Sequence, residues 1–253
     1  MNNLVLPKGK IENIDMVIFD KDGTLIDVHH YWCSMIEFRA KFFVELLKNE
    51  DIDLDKLYND LIDSMGINLL TKKMKPEGPV GIKPRTFIVE VALETINKYT
   101  KNCTKDDVID IFAKVDEYSK SKLKEIVKPL PSVEELLGNL KAKDILITIA
   151  TTDLTNRAIL AMKDLGFEEY FIDIAGADLV KNAKPSPDLV DYLINKHNVP
   201  LDKIVVVGDS MADLNMAKNA KCQFLGVKTG LCTDEFINDA EYLIEDMSEI
   251  EVI

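Results

Sequence analysis

The chain has 253 residues, 47% of them hydrophobic, enough for a real core and for two domains of unequal size. Its 31 basic residues against 44 acidic give a formal net charge of -13, which argues against general binding to nucleic acid or anionic membrane and means an anionic substrate would need local positive charge or a metal. Apolar runs are short and broken by charge, the stretch MNNLVLPKGKIENIDM lacks the apolar core of a signal peptide, and Cys33, Cys103, Cys222 and Cys232 show neither a CxxC pair nor zinc spacing, so we expect a reduced, cytoplasmic protein with no membrane segment.

The first predicted strand is IDMVIF, residues 14–19, which ends at Asp20. A stretch of over a hundred residues with no convincing strand follows. It carries predicted helices at 35–47, around Leu54, Leu57, Leu61 and Ile62, at 86–99 and at 106–123. The segment KPLP, residues 128–131, makes a stiff crossing back. Ser132, with Glu135 three residues on, reads as a capping box ahead of Leu136, Leu137 and Leu140. A strand at 144–150 (DILITIA) ends at Thr151, and the helix at 155–165 places Ile159, Met162 and Leu165 at helical spacing before Gly166. A short strand at 171–174 precedes a helix opened by Pro187. KIVVV, residues 203–207, runs into GDS, then a helix at 212–220 and a strand at 222–227. Strands apolar along their whole length belong in a parallel sheet covered on both faces. The predicted fold is therefore α/β, a doubly wound, mostly parallel sheet over residues 1–25 and 131–253, with an all-helical insertion over 26–130.

In such a sheet, ligands bind beyond the carboxyl ends of the strands. Those positions hold Asp20 and Asp22, Thr151 and Thr152, then Asp209 and Asp213. Two carboxylates two residues apart can point to the same side and repel, unless a cation sits between them or one is protonated. One can attack phosphorus while the other delivers a proton. Gly23 permits a tight turn whose backbone N–H groups can face an anion, and Thr24 follows it. An oxygen-rich site of this kind suits magnesium. Lys184, in NAKPSPDL, is followed by Pro185 and Pro187, which fix the local backbone, and it can steady a carboxylate and phosphoryl oxygens. The Thr151 hydroxyl can bind a phosphoryl oxygen, and Asp153 is expected to cap the following helix.

DKDGTL, IATTD, AKPSP and VVVGDSMADLNMA together resemble, in order, the four motifs of the haloacid dehalogenase-like superfamily. The resemblance covers the whole chain, with the helical insertion where a type 1 cap would lie. It implies that Asp20 is the nucleophile forming an aspartyl-phosphate, Asp22 the general acid and base, Thr151 the phosphate-binding hydroxyl and Lys184 the stabilising lysine. It further implies a Mg2+ site from Asp20, the carbonyl of Asp22 and Asp209, with Asp213 either supporting these ligands from behind or reaching the ion through water. Asp22 separates this chain from the transport ATPases, which carry threonine there, and from dehalogenases, which lack the second acid. Two departures are Lys21, where many relatives are apolar, and Thr152, where asparagine is common.

The expected function is magnesium-dependent hydrolysis of a small phosphate monoester, similar to phosphoglycolate phosphatases. The alternatives are a phosphomutase of the β-phosphoglucomutase type and a non-catalytic binding protein. The expected partner is a small phosphorylated metabolite, with no nucleic acid and no membrane, in a monomer or homodimer. The basic stretch TKKMKPEGPVGIKPR, residues 71–85, stands out in an acidic chain. Lys83 and Arg85 there, His30 near the first motif, and Gly23, Thr24 and Thr152 are further candidates for substrate contact.

Overall fold

The computed structural model describes residues 2–81 and 83–253. Ile82, in the basic stretch, lies outside the described residues. The chain divides into two compact units, Met1–Asp27 with Val127–Ile253, and Val28–Ile126.

The first unit begins with strands β1 (Leu4–Leu6) and β2 (Gly9–Ile11), followed by β3 (Met16–Phe19). After the insertion come helix α6 (Val133–Ala142), strand β4 (Leu146–Ala150), α7 (Thr155–Asp164), β5 (Asp173–Ala175), α8 (Asp188–His197), β6 (Ile204–Gly208), α9 (Met211–Ala220), β7 (Gln223–Val227), α10 (Asp234–Asp239), β8 (Leu243–Ile244) and β9 (Glu251–Val252). Six of these strands form one parallel sheet in the order β5-β4-β3-β6-β7-β8. Every residue of β3 and β6 is buried, as a central parallel strand requires. The pleat sorts their side chains. Met16, Ile18, Ile204 and Val206 pack with Leu189, Leu193, Leu214 and Ala217 of α8 and α9. The alternate residues Val17, Phe19, Val205 and Val207 project to the opposite face. The fold is thus the doubly wound α/β sheet that the apolar runs predict.

Three local expectations need correction, and one small sheet has no counterpart in the sequence reading. Ser132 is in the left-handed region (φ 62°) and makes no side-chain cap, so the capping-box pattern forms no box. α7 buries Ala158, Ala161 and Met162, while Ile159 is exposed. Leu154, not Asp153, stands at the N-cap of α7. Finally, β1 pairs antiparallel with β2 and with β9, making a second, three-stranded sheet from the two ends of the chain. Strands of two and three residues carry too little periodicity to be read from sequence.

The second unit is helical among its described residues: α1 (Val28–Leu46), α2 (Leu54–Met65), α3 (Arg85–Ile96), α4 (Lys105–Lys120) and the short α5 (Leu123–Ile126). α1 starts seven residues before the predicted helix and so takes in His29, His30 and Trp32. Asp53 caps α2 through the Lys56 N–H, Gly66 ends it at φ 118°, and Thr104 with Asp107 forms a true capping box on α4. Phe43 and Phe112 join α1 to α4 in the core of this unit, and the buried Arg39 lies 4.3 Å from the centre of the Phe112 ring. The basic stretch folds back on α2: Lys75 N–H donates to Gly66 O, and Lys75 Nζ donates to Asp63 Oδ1 at 2.9 Å.

Candidate active site

The ends of the central strands place the acidic residues. β3 delivers Asp20, whose N–H donates to Val207 O of the neighbouring strand at 2.8 Å. β6 ends at Gly208, so Asp209 follows directly, and Ser210 caps α9 by accepting the Asp213 N–H. Carboxylate oxygens of Asp20, Asp209 and Asp213 all lie within 4.8 Å of one another, and all three residues are buried. Lys184, before α8, spans the group: its Nζ donates to Asp20 Oδ1 at 2.5 Å and to Asp213 Oδ1 at 2.6 Å. Ser210 Oγ donates to the other Asp213 oxygen at 2.5 Å.

Three carboxylates against one ammonium leave two negative charges uncompensated if all three ionise. The electrostatics record the strain. Burial pushes Asp20 up to about 7 from an ordinary 3.8, opposed by Lys184 and reinforced by Asp213 and Asp22. Burial, then Asp20 and Asp213, likewise hold Asp209 well above the carboxylate range. Burial alone would lower Lys184, but Asp20 and Asp213 outweigh it and keep it charged. A buried cluster of hard oxygen donors with excess negative charge fits a divalent cation such as magnesium.

Asp22 stands apart from this cluster. Its carboxylate rests on Lys21, and burial raises it against the pull of that ammonium. Thr151, after β4, is buried, and its Oγ1 accepts the Asp153 N–H at 3.1 Å, which leaves the hydroxyl hydrogen to donate elsewhere. Gly23 does need its glycine, with φ 93°, but its N–H is spent inside the turn on Ile26 O at 2.9 Å, so it does not face an anion as the turn chemistry suggested. Thr24 is fully buried and Thr152 exposed.

The remaining candidates belong to the helical unit. His30 Nε2 meets the Glu125 carbonyl at 2.8 Å, Arg85 pairs with Asp116 while lying 5.4 Å from the Phe112 ring centre, and Lys83 is exposed.

Several residues with a part in this geometry have no motif to announce them. The loop after β7 wraps Asp209: Leu231 N–H donates to its Oδ2 at 2.9 Å, and Thr229 Oγ1 donates to Gly23 O at 2.6 Å. A Cβ on Gly230 would stand 1.7 Å from Asp209 Oδ2. The only signal in the sequence is a glycine just past a predicted strand. Gly230→Ala is therefore expected to displace the Asp209 carboxylate and weaken divalent-cation binding by about 10–100-fold, as loss of a supporting contact does. Calorimetric titration of the folded variant with Mg2+ checks this, and wild-type affinity would mean that the loop does not position Asp209.

The sequence model described as haloacid dehalogenase-like hydrolase matches residues 17–227, from within β3 to the end of β7. The chain belongs to this family. Among its relatives, it is 30% identical to a phosphorylated carbohydrates phosphatase of Thermotoga maritima over 141 residues, 56% of this chain and 63% of that protein. It is 29% identical to a phosphoglycolate phosphatase of Vibrio parahaemolyticus over 122 residues, 47% of this chain and 54% of that one. The chain thus spans a little over half the length of these curated relatives. A crystal structure of a predicted phosphoglycolate phosphatase from Haemophilus somnus superposes with a TM-score of 0.66 at 20% identity, covering 93% of this chain and 96% of the other, which shows the shared fold. Among the described residues, no helix is long and apolar enough to cross a membrane.

Proposed function

We propose that this haloacid dehalogenase-like hydrolase is a magnesium-dependent phosphatase of a small phosphorylated metabolite, either a phosphoglycolate-like acid or a phosphorylated sugar. The observation that carries the reading is the buried Asp20–Lys184–Asp213 bridge at the end of the central strand, with Asp209 beside it and Asp22 two residues on. The two phosphatase relatives, one named for phosphorylated carbohydrates and one for phosphoglycolate, suggest the substrate classes.

In this reading, an Asp20 oxygen attacks phosphorus in line with the ester bond. The P–O bond breaks, and the departing oxygen takes the proton held on Asp22, a carboxyl that burial equips to carry one. Water then adds its oxygen to phosphorus and gives a proton back to Asp22, which frees Asp20 and phosphate. Lys184 keeps its charge beside the attacking carboxylate and orients it. The Thr151 hydroxyl donates to a phosphoryl oxygen. Asp20, Asp209, Asp213 and the Asp22 carbonyl would hold the cation. Magnesium bound there supplies positive charge against the phosphoryl oxygens.

The test is phosphate release from 2-phosphoglycolate, hexose phosphates, nucleoside monophosphates and p-nitrophenyl phosphate, with Mg2+ and with chelator. Release from at least one member that chelation abolishes is expected. A persistent phosphoenzyme accompanied by an isomerised sugar phosphate would replace the hydrolase with a mutase. No turnover of any member by folded, Mg2+-loaded protein would overturn the reading.

A further inference from the structure

Lys21 breaks the apolar pattern at the end of β3, yet it is only 1% exposed. A buried ammonium is costly unless it is paired. Its Nζ lies 3.0 and 2.9 Å from the two oxygens of Asp22, and 3.2 Å from Asp153 Oδ2. Asp153 is itself anchored: its Oδ1 accepts the Leu154 N–H at 2.8 Å and meets Arg157 Nε at 3.3 Å. A chain of alternating charge, Asp22–Lys21–Asp153–Arg157, therefore runs from the loop after β3 to the first turn of α7. With Asp22 ionised, two acids face two bases and the row neutralises itself, unlike the cluster around Asp20; when Asp22 carries the proton it donates, the row holds one positive charge in excess.

A lysine stem has four rotatable bonds and fixes nothing when held at one end. Here the ammonium is clamped between two carboxylates, and the far one is tied to the backbone and to a second cation. We propose that Lys21 is a positioning residue: it holds the Asp22 carboxyl toward the leaving-group oxygen, with Asp153 as its rear anchor. This rests on the phosphatase reading above. The alternative use of the same charge, direct stabilisation of the phosphoryl oxygens, makes a different prediction. A phosphoryl-stabilising cation assists every substrate alike, whereas a residue that acts through Asp22 matters only when the departing oxygen needs a proton.

The experiment compares kcat/KM for the best alkyl phosphate of the panel and for p-nitrophenyl phosphate, whose phenolate departs without protonation. This ratio reports only steps up to loss of the leaving group, so the later role of Asp22 with water does not enter. Lys21→Met is expected to lower kcat/KM on the alkyl ester by about 10²-fold, within the range a general acid supplies, and on the aryl ester by less than about 3-fold. Asp22→Asn should show the same asymmetry more strongly. Asp153→Asn, which keeps Lys21 and loosens only its anchor, should show it at about 10-fold, and it decides the matter should Lys21→Met not fold. Equal losses on both esters, or no loss on either, would overturn the positioning role. Failure of the wild type on both esters would instead overturn the phosphatase reading.

Discussion

Asp20→Asn will lower phosphate release by about 10⁴-fold or more, because loss of a covalent nucleophile leaves only binding and electrostatic assistance. The same substitution is expected to raise stability in chelator. Asp20 sits with two other buried carboxylates around a single bridging ammonium, and an amide removes one charge from that crowd while Lys184 keeps Asp213. A gain of 1 kcal/mol would move the melting temperature by about 2–4 °C in a chain of this size. Thermal melts with and without Mg2+, run beside the phosphate assay, separate the two effects. An inactive variant that melts higher in chelator and gains less from Mg2+ than the wild type is the expected pair of results. Retained turnover would remove Asp20 from the nucleophile's role. An inactive variant that melts lower would mean that the carboxylate supports the fold and that its loss of activity says nothing about chemistry.

Lys184→Met is expected to destabilise the metal-free protein by about 3–5 kcal/mol at mildly alkaline pH, where both carboxylates it leaves behind must ionise, as breaking a buried ion bridge from one side does. Methionine keeps much of the stem and drops the charge, leaving Asp20 and Asp213 without the ammonium both touch. The pH dependence follows from linkage. Already in the wild type, Asp20 titrates at about 7 in the fold against an ordinary 3.8. The unfolded chain therefore releases this proton first, and between 3.8 and about 7 stability falls as pH rises. The destabilisation is absent below that window and complete above it. Lys184 is what holds Asp20 down, so without it the window should extend upward: the variant tracks wild-type stability at acid pH and departs from it, toward the amount above, as pH rises past about 7. Mg2+ should restore part of the loss. Phosphate release should drop by about 10²–10³-fold even where the variant is folded, since a group stabilising developing charge is gone. Denaturant titrations at acid and mildly alkaline pH check the stability claim. Equal stability of variant and wild type at both would mean that the bridge contributes nothing to the metal-free fold.

Distance along the chain separates the features that local sequence specifies from those it does not. The runs MVIF, LITIA and IVVVG announce buried parallel strands because an apolar stretch of that length with branched side chains has few other places to go. Once the sheet is known, the rule that ligands gather beyond its carboxyl ends points to Asp20, Asp22, Thr151 and Asp209 without coordinates. The structure then brings Asp20, Lys184, Asp209 and Asp213 together, and it sets Asp22 apart on Lys21.

Other features were not legible. A lysine after the first aspartate reads as an intrusion until Asp153, on the neighbouring strand's loop, is seen to receive it. Asp153 reads as a helix cap until the same contact explains why it is turned inward. Gly230 is one glycine among several until Asp209 is found where its Cβ would be. The β1–β2–β9 sheet joins residues near both ends of the chain through strands too short to carry a pattern. By itself, the sequence determined the sheet, the helical insertion and the residues at the strand ends, because these depend on local periodicity and on a general rule of chain topology. Only the tertiary structure decided which charges neutralise one another and which remain in excess. That depends on pairwise distances between residues far apart in the chain and on how completely each pair is removed from water.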